Sequence, residues 1–281
     1  MKILSLHKQI NNIMRDKEGK FSKQYEIDET FFKSIDKEEQ AYVLGFIYAD
    51  GCNQVCEDTR YISMCQLEQD RDILDKIKNV MNFTNPNYVI ETQKSNGKVK
   101  YKMQIYSKIL SEDLEKLGAT ANKSLTLQFP EFIPDELMPH FIRGYFDGDG
   151  CVWEGKPKVD SKNRFIHNVK FTFTGNFDFI DKLQNYLVQK LGFRKTKLNF
   201  SKAKNPNNNT SDKVCTMEYS GKKQLETFYN YLYKNASIYG NRKKEKFENI
   251  ICADSKKLLF ETRLIAGTPE MVISSQASQS L

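Results

Sequence analysis

Asp50 and Asp149 are the two residues of this 281-residue chain whose type and setting most clearly indicate chemistry. Each ends an apolar stretch and is followed by glycine and cysteine. Two carboxylates that lie close together repel each other, and a divalent cation relieves that repulsion. Mg²⁺ held by a few carboxylates and by substrate phosphate oxygens activates water for phosphodiester hydrolysis. The pair therefore predicts a metal-dependent hydrolytic site.

The two aspartates belong to an internal duplication. Residues 42–52 align with residues 141–151 at a constant offset of 99, with glycine, aspartate, glycine and cysteine in matching positions. One aspartate before a glycine would be an ordinary helix end. Two copies with matching small residues favour a functional pair over that interpretation.

The pattern that follows each motif also repeats. A strand-like alternation leads into an amphipathic helix at an offset of 106, which we interpret as seven extra residues in the turn after the second motif. Each half is therefore predicted to contain, in order, a helix, two strands, a helix, two strands and a helix. This order predicts an α+β fold in which an antiparallel sheet lies on one side of the helices.

The motif helices must position the two acids. We expect Asp36 to cap the first helix with Glu39 as its reciprocal partner, and Gly51 to end it. Glycine inside a helix costs ~1 kcal/mol relative to alanine, so the repeated small residues predict that the two helix backbones approach closely. If the helices are parallel, their C-terminal ends meet and Asp50 lies beside Asp149.

Composition favours a polyanionic partner without identifying one. The formal charge is +7 and the pI is about 8.9, which suits phosphate contacts. No apolar run approaches the ~20 residues of a membrane span, the N-terminus has no secretory signal, and the six cysteines match no zinc spacing. We therefore expect no membrane association and a location in the cytoplasm or an organellar matrix.

The domain organisation follows from the duplication. We expect a basic N-terminal extension over 1–33, a first half over 34–133, a second half over 134–255, and a polar, disordered tail over 256–281.

At the two motifs the sequence resembles the LAGLIDADG homing endonucleases of the single-chain, two-motif type. Residues 44–51 look like the first motif and residues 143–150 like the second, and the resemblance covers roughly 36–250. It implies two pseudo-symmetric αββαββα halves, motif helices at their central interface, and saddle-shaped antiparallel sheets over double-stranded DNA. It also implies Mg²⁺-dependent cleavage of both DNA strands, and a monomer, because one chain supplies both half-sites.

The resemblance assigns residues to the metal. The last acid of each motif binds the cation in that family, which carries over to Asp50 and Asp149, together with the adjoining Gly51 and Gly150. The further acid Asp147 is expected to pack or cap rather than to bind metal.

The resemblance also implies assisting side chains. Basic residues near the end of each half polarise phosphate or order water, and Lys123 and Lys243 occupy parallel positions here. Solvated lysines beside a helix end are the alternative interpretation. Gln66 would orient a water, and because its counterpart is interpreted as Thr172, any such role is asymmetric.

The strands are expected to read DNA. Side chains alternate along a strand, so one set faces the groove, where Lys, Arg, Asn and Gln reach bases and phosphates. The side chains assigned to DNA contact are Asn53, Gln54, Arg60, Lys98, Lys100, Lys102 and Gln104 in the first half, and Trp153, Lys156, Lys158, Lys170, Lys195, Lys197 and Asn199 in the second.

Two alternatives stay open, and a third is disfavoured. An RNA maturase would bind intron RNA and can keep both acids, whereas a catalytically inactive regulator has no need for them. An endonuclease within an intein would need splicing residues at its ends, and we expect none because Met1 opens the chain and Leu281 closes it.

Overall fold

The computed structural model describes residues 25–56, 59–93, 97–121, 123–156, 158–159, 161, 165–200 and 213–252. The first half contains α1 (Glu38–Asp50), β1 (Gly51–Cys56), β2 (Thr59–Leu67), α2 (Arg71–Val80), β3 (Val89–Thr92), β4 (Val99–Tyr106) and α3 (Lys108–Lys116). The second contains α4 (Met138–Asp149), β5 (Cys151–Glu154), β6 (Lys158–Val159), β7 (Phe165–Ile166), β8 (Val169–Asn176), α5 (Phe177–Leu191), β9 (Asn199–Phe200), β10 (Val214–Ser220) and α6 (Lys222–Tyr233). A last helix, α7, is described over 241–252.

Two four-stranded antiparallel sheets have the same topology. Their strand orders are β1-β2-β4-β3 and β5-β8-β10-β9, so the second sheet repeats the first strand for strand. The short β6–β7 hairpin lies in the insertion that the sequence placed after the second motif. The predicted α+β class with two pseudo-symmetric halves is confirmed. Among the described helices, none has both the length and the apolar character of a membrane span.

The two motif helices, α1 and α4, form the centre of the molecule, and their glycines explain how closely they pack. A β-carbon on Gly45 would overlap the carbonyl oxygen of Phe141, and one on Gly144 would overlap the carbonyl oxygen of Tyr42. The two backbones are therefore in direct contact. Any larger residue would force the helices apart, because a packed core tolerates little added volume.

The cap of α1 differs from the one predicted. The helix does not use Asp36 and Glu39; instead the side-chain oxygen of Gln40 accepts hydrogen bonds from the backbone N–H groups of Asp36 and Lys37, both at 3.0 Å. The amide nitrogen of Gln40 donates to the carbonyl of Phe31 at 2.9 Å. That second, tertiary bond fixes the amide where it serves as the cap, which a local capping pattern does not reveal.

Gly51, which follows the first motif acid, acts differently from the prediction, and Gly150 has a similar conformation. Gly51 has φ −87° and Gly150 has φ −74°, so neither adopts the left-handed conformation of a helix-ending glycine. Gly51 is the first residue of β1, and Gly150 immediately precedes β5. A β-carbon on Gly51 would lie 2.6 Å from the Cα of Ile47, and one on Gly150 would overlap the ring of Phe146. Glycine is required here for space rather than for positive φ.

Residues 25–33 pack onto the first half rather than extending away from it. Phe31 and Phe32 are buried in the core, and the backbone N–H of Asp28 donates to the carbonyl of Met81 at 3.0 Å. These contacts make residues 25–33 part of the packed surface of the first half.

Candidate active site

Asp50 and Asp149 lie at the C-terminal ends of α1 and α4, which meet because the helices pack in parallel. A β-carbon on Gly148 would overlap that of Ala49 and would lie 3.4 Å from the backbone nitrogen of Asp50. Burial, followed by the negative charge of Asp50, raises the pKa of Asp149 to about 6. The two carboxylates therefore share one electrostatic site.

This site is crowded by protein yet open to solvent. Both Asp50 and Asp149 have an exposed surface, but neighbouring protein atoms disfavour the charged form of Asp149. A cation would relieve both that penalty and the repulsion between the acids. Within the described ranges no group of three or more His, Cys, Asp or Glu side chains converges on one point. The protein thus offers two carboxylates, a donor set that suits Mg²⁺ completed by water and phosphate oxygens.

Lys243 is buried, and its side chain caps the C-terminal end of α4. Its ammonium donates to the carbonyl oxygens of Phe146, Asp147 and Gly148 at 2.8, 2.7 and 2.8 Å. The carbonyls of Asp147 and Gly148 belong to the last turn of the helix, where carbonyls lack intrahelical partners, whereas that of Phe146 also accepts from the backbone N–H of Gly150 at 2.8 Å. Burial lowers the pKa of Lys243, and the neighbouring acids oppose that effect. All three ammonium protons are used by the backbone in this conformation.

Lys123 lies on the other side of the site and is also buried. Its ammonium donates to the carbonyl oxygen of Gly51. Burial lowers its pKa, while Cys52, Asp149 and Asp50 raise it, so the amine is electrostatically close to both acids. The Gly51 carbonyl, which the resemblance assigned to the metal, is paired with this lysine.

Both lysines are held in place by chain segments that cross to the opposite half. After Lys123, the carbonyl of Leu127 accepts a hydrogen bond from Asn176 at 2.9 Å, which joins it to the second half. Before Lys243, the carbonyl of Tyr239 accepts one from Lys76 at 2.7 Å, which joins it to the first. Each half therefore helps to position the other half's lysine.

Gln66 contacts the site directly. Its side-chain amide donates to the Oδ2 of Asp50 at 2.6 Å. This bond fixes one carboxylate oxygen of Asp50, and no described residue forms a hydrogen bond with the other.

The counterpart of Gln66 is Gly175 rather than Thr172. Ser63 and Thr172 each pair with the cysteine that follows their motif, so these two are equivalent, and the strands match at an offset of 109. The helices match at 106 because a 3₁₀ turn, Glu68–Asp70, adds three residues only in the first half. Asp149 therefore has no amide partner corresponding to Gln66, and the two halves of the site differ.

Asp147, which we expected to pack or cap, is a buried carboxylate that connects the elements of the site. Asp147 accepts hydrogen bonds from the hydroxyls of Tyr42 and Tyr233 at 2.9 and 2.8 Å, and from the backbone N–H of Gly240 at 2.7 Å. Burial raises its pKa despite these bonds. The carboxylate joins α1, α4 and the segment that leads to Lys243.

Arg143 is a structural residue that sequence reasoning missed. It is fully buried, and its guanidinium donates to the carbonyls of Ile238 and Leu232 at 2.8 and 2.7 Å and to Glu38 at 2.7 Å. Glu38 begins α1, so this network joins the two motif helices. Its sequence signal is a basic residue in the middle of a helix rich in aromatic and apolar residues.

On the first sheet the predicted alternation holds for the fourth strand. Met103 and Ile105 are buried against the helices, so Lys100, Lys102 and Gln104 face the opposite, outer side. In β1 the same parity places Gln54 outward. Lys98 is exposed just before β4.

Two DNA-contact predictions in this half are corrected. Asn53 is 1% exposed, and its amide donates to the carbonyls of Ser111 and Ala119 at 2.9 and 3.1 Å. Arg60 lies on the helix side of β2 and forms a 2.8 Å ion pair with Glu115. Neighbouring strand residues point to opposite faces, so Asn53 cannot share the outer face with Gln54.

On the second sheet Trp153 and Lys170 pair across β5 and β8 and face outward. Asn199 pairs with Thr216 on that same face. Lys195 points toward α5, where it contacts Asp181 at 3.0 Å, and its side chain remains half-exposed, so its DNA contact stays a prediction. Lys156 and Lys197 are exposed outside the strands, and the side chain of Lys158 lies outside the described part of the chain.

The chain was compared with known families and structures. The family model that describes a LAGLIDADG-like domain matches residues 136–233. No curated protein matches the chain. Among solved structures, the homing endonuclease I-LtrWI bound to target DNA is 14% identical, with a TM-score of 0.52 over 82% of this chain and 95% of that one.

Two further solved structures have similar scores. The meganuclease I-CpaMI bound to uncleaved DNA is 14% identical, with a TM-score of 0.51 over 82% of this chain and 99% of that one. The meganuclease I-AabMI bound to uncleaved DNA is 19% identical, with a TM-score of 0.50 over 79% and 91%. These likenesses show the fold over 79–82% of the chain.

Proposed function

Because the chain has the fold of the LAGLIDADG homing endonucleases, we propose that it is a site-specific DNA endonuclease that hydrolyses both strands of a long target with Mg²⁺. The observation that carries this proposal is the meeting of Asp50 and Asp149 at the ends of two parallel helices. Each acid lies where an outward-facing antiparallel sheet begins. Cleavage chemistry and DNA recognition are therefore contiguous.

Double-stranded DNA is the proposed partner. The three similar structures are DNA complexes, and this chain has a net charge of +7. Lys100 and Lys102 lie on the outer face of the first sheet, where phosphate contacts would release counterions. Lys170 lies on the outer face of the second.

Asp50 and Asp149 would hold the cation. When bound, Mg²⁺ acts as a Lewis acid on the scissile phosphate and activates water. Gln66 fixes one oxygen of Asp50, so the carboxylate keeps one orientation. Lys243 fixes the end of α4 and therefore the position of Asp149.

Lys123 differs from Lys243 because, among the described residues, its ammonium makes one hydrogen bond, to the Gly51 carbonyl. An ammonium carries three protons, so within this part of the chain two remain for phosphate oxygens near the acids. We propose that Lys123 contacts the substrate, whereas Lys243 positions Asp149.

One chain carries both halves of the site, so a monomer would cover both half-sites of its target. Because Gly175 replaces Gln66 in the second half, the two halves of that target face different side chains. The target is therefore proposed to be only partly symmetric.

Cleavage of a plasmid library with randomised sites tests the proposal. The purified protein is incubated with Mg²⁺ or with EDTA, beside an Asp50→Asn, Asp149→Asn double variant and an Asp135→Asn control. Asp135 is a surface carboxylate paired with Lys190. We expect Mg²⁺-dependent double-strand cuts at a long site from the wild type and the control only.

The opposite result would change the functional class. If the wild type binds DNA or intron RNA in a salt-sensitive manner but never cuts, the protein is a binding protein, either a regulator or a maturase.

A further inference from the structure

An ion pair on the outer face of the second sheet occupies two positions whose equivalents in the first sheet, Tyr61 and Gln104, are neutral. The ammonium of Lys170 donates to Glu218 at 2.7 Å and lies 5.3 Å from the centre of the Trp153 ring. Together with Ser220 these side chains line a cavity of about 260 Å³. The cavity is on the outer surface, because the alternate residues Phe171 and Met217 are buried against the helices.

The strand register identifies the equivalent residues in the first half. Lys170 pairs with Trp153 and Ser220, as Tyr61 pairs with Gln54 and Tyr106. In the adjacent row Glu218 pairs with Thr172, as Gln104 pairs with Ser63. Both halves therefore present the same grid of positions. The first half fills it with neutral side chains, and the second places a cation and an anion side by side.

A carboxylate on a face that meets DNA is repelled by phosphate unless it has a specific partner. In the major groove, guanine presents the acceptors N7 and O6, whereas cytosine presents the N4 amino donor. Lysine donates to guanine, and glutamate accepts from cytosine. An ammonium and a carboxylate held 2.7 Å apart thus complement the two adjoining edges of one G·C base pair.

We propose that Lys170 and Glu218 together read a single G·C base pair, with guanine bound by Lys170 and cytosine by Glu218. This inference rests on the proposed function as a DNA endonuclease and specifies part of its target. In the free protein the two side chains satisfy each other. In the complex each exchanges that bond for the base it matches.

The position of the base pair follows from the strand. Trp153, which pairs with Lys170, is four residues beyond Asp149, or roughly 13 Å at ~3.3 Å per strand residue. At ~3.4 Å per base pair this corresponds to roughly four base pairs from the cleavage centre, on the side of the second half.

The test is a comparison of base preferences. Binding to a library of targets randomised at every position is measured for the wild type, Glu218→Gln and Lys170→Gln, in the presence of Ca²⁺ or EDTA to separate binding from cutting. Glu131→Gln is the matched control, because Glu131 forms a 2.7 Å pair with Lys182 on the helix side of the molecule.

Glu218→Gln introduces the residue type that the first half carries as Gln104. Glutamine is bidentate to adenine, so we expect the preference at one position to move from cytosine toward adenine by about 5- to 100-fold. Lys170→Gln should reduce the preference for guanine at that same base pair. The control should keep the wild-type preference everywhere.

The proposal is overturned if Glu218→Gln keeps every base preference, or if it weakens binding to all targets equally. Either result would mean that Glu218 positions Lys170 and does not itself recognise a base. Thermal unfolding of each variant establishes that it is folded. If the wild type binds none of the targets in the library, the proposed function itself fails. That result differs from binding with an unchanged base preference, so the two failures can be told apart.

Discussion

At the residue scale, the carboxyl group of Asp149 lies in an environment that disfavours its charged form. Burial and the charge of Asp50 raise its pKa to about 6, and Lys243 and Lys123 compensate only in part. A carboxyl whose folded pKa is raised binds its proton more tightly in the folded state than in the unfolded state. The protein therefore loses stability as pH rises from the ordinary carboxyl range to about 6.

Asp149→Asn should therefore stabilise the protein in EDTA at pH 7.5. The gain is expected to be about 1 kcal/mol, reduced from what the pKa shift alone would give because the carboxyl is partly exposed. Near pH 4 the gain should disappear, because the native carboxyl is then protonated. Thermal unfolding at both pH values measures the difference, and an unaltered or lower stability at pH 7.5 would contradict this account of Asp149.

The two lysines can be separated by stability. Lys243→Met removes three charge-assisted hydrogen bonds from the end of α4, whereas Lys123→Met removes one. We expect a loss of about 2–4 kcal/mol for the first and about 1–2 kcal/mol for the second. Urea unfolding measures both, and equal losses would argue against Lys243 as the residue that ends α4.

The sequence predicts single residues well where one local rule decides the outcome. Asp50 and Asp149 follow from the duplicated motif, and Lys100 and Lys102 follow from strand alternation. Asn53 fails because its assignment ignored that same alternation beside Gln54. Arg143 was not found, because its partners are carbonyls about 90 residues away in sequence.

At the element scale, the packing of α1 against α4 positions the acids. Gly45 and Gly144 each leave room for a carbonyl of the opposite helix. The small-residue pattern predicted this contact because sterics alone require it. The cap by Gln40 and the 3₁₀ turn Glu68–Asp70 were not predictable, since the first depends on a tertiary hydrogen bond and the second shifts the strand register without altering the helix pattern.

Gly45→Ala tests the helix contact. Its β-carbon would overlap the carbonyl of Phe141, so we expect a loss of about 2–3 kcal/mol from overpacking, even though alanine is favoured in helices by ~1 kcal/mol. Asn230→Ala, on the exposed surface of α6, is the control for helix propensity and should be neutral or stabilising. Denaturant unfolding that shows Gly45→Ala to be as stable as the wild type would exclude direct backbone contact.

At the scale of the whole molecule, duplication produces two similar halves with different surfaces. The crossing segments around Leu127 and Tyr239 bind each half to the other, so the two outer faces keep one relative placement. The first face carries Lys100 and Lys102 of β4, which we assign to phosphate contact, and the second carries the Lys170–Glu218 pair. The duplication and fold class were readable from periodicity. This difference between the faces required the strand register.

Salt dependence tests the charged face of the first half. If Lys100 and Lys102 each contact a phosphate, the Lys100→Ala, Lys102→Ala variant should reduce the slope of log K against log salt by about 1.8. Fluorescence anisotropy with the selected target over a salt series measures the slope. A slope equal to that of the wild type would remove these lysines from the phosphate contacts.

The most direct test of the central claim is cleavage of the selected target by the two single variants, Asp50→Asn and Asp149→Asn. A supercoiled plasmid reports nicked and linear products separately, and Asp135→Asn serves as the surface control. If the two acids hold one catalytic cation site, each variant should bind the target but cut at least about 100-fold more slowly, as expected from losing several kcal/mol of charge stabilisation. Wild-type cutting by either folded variant would contradict the account.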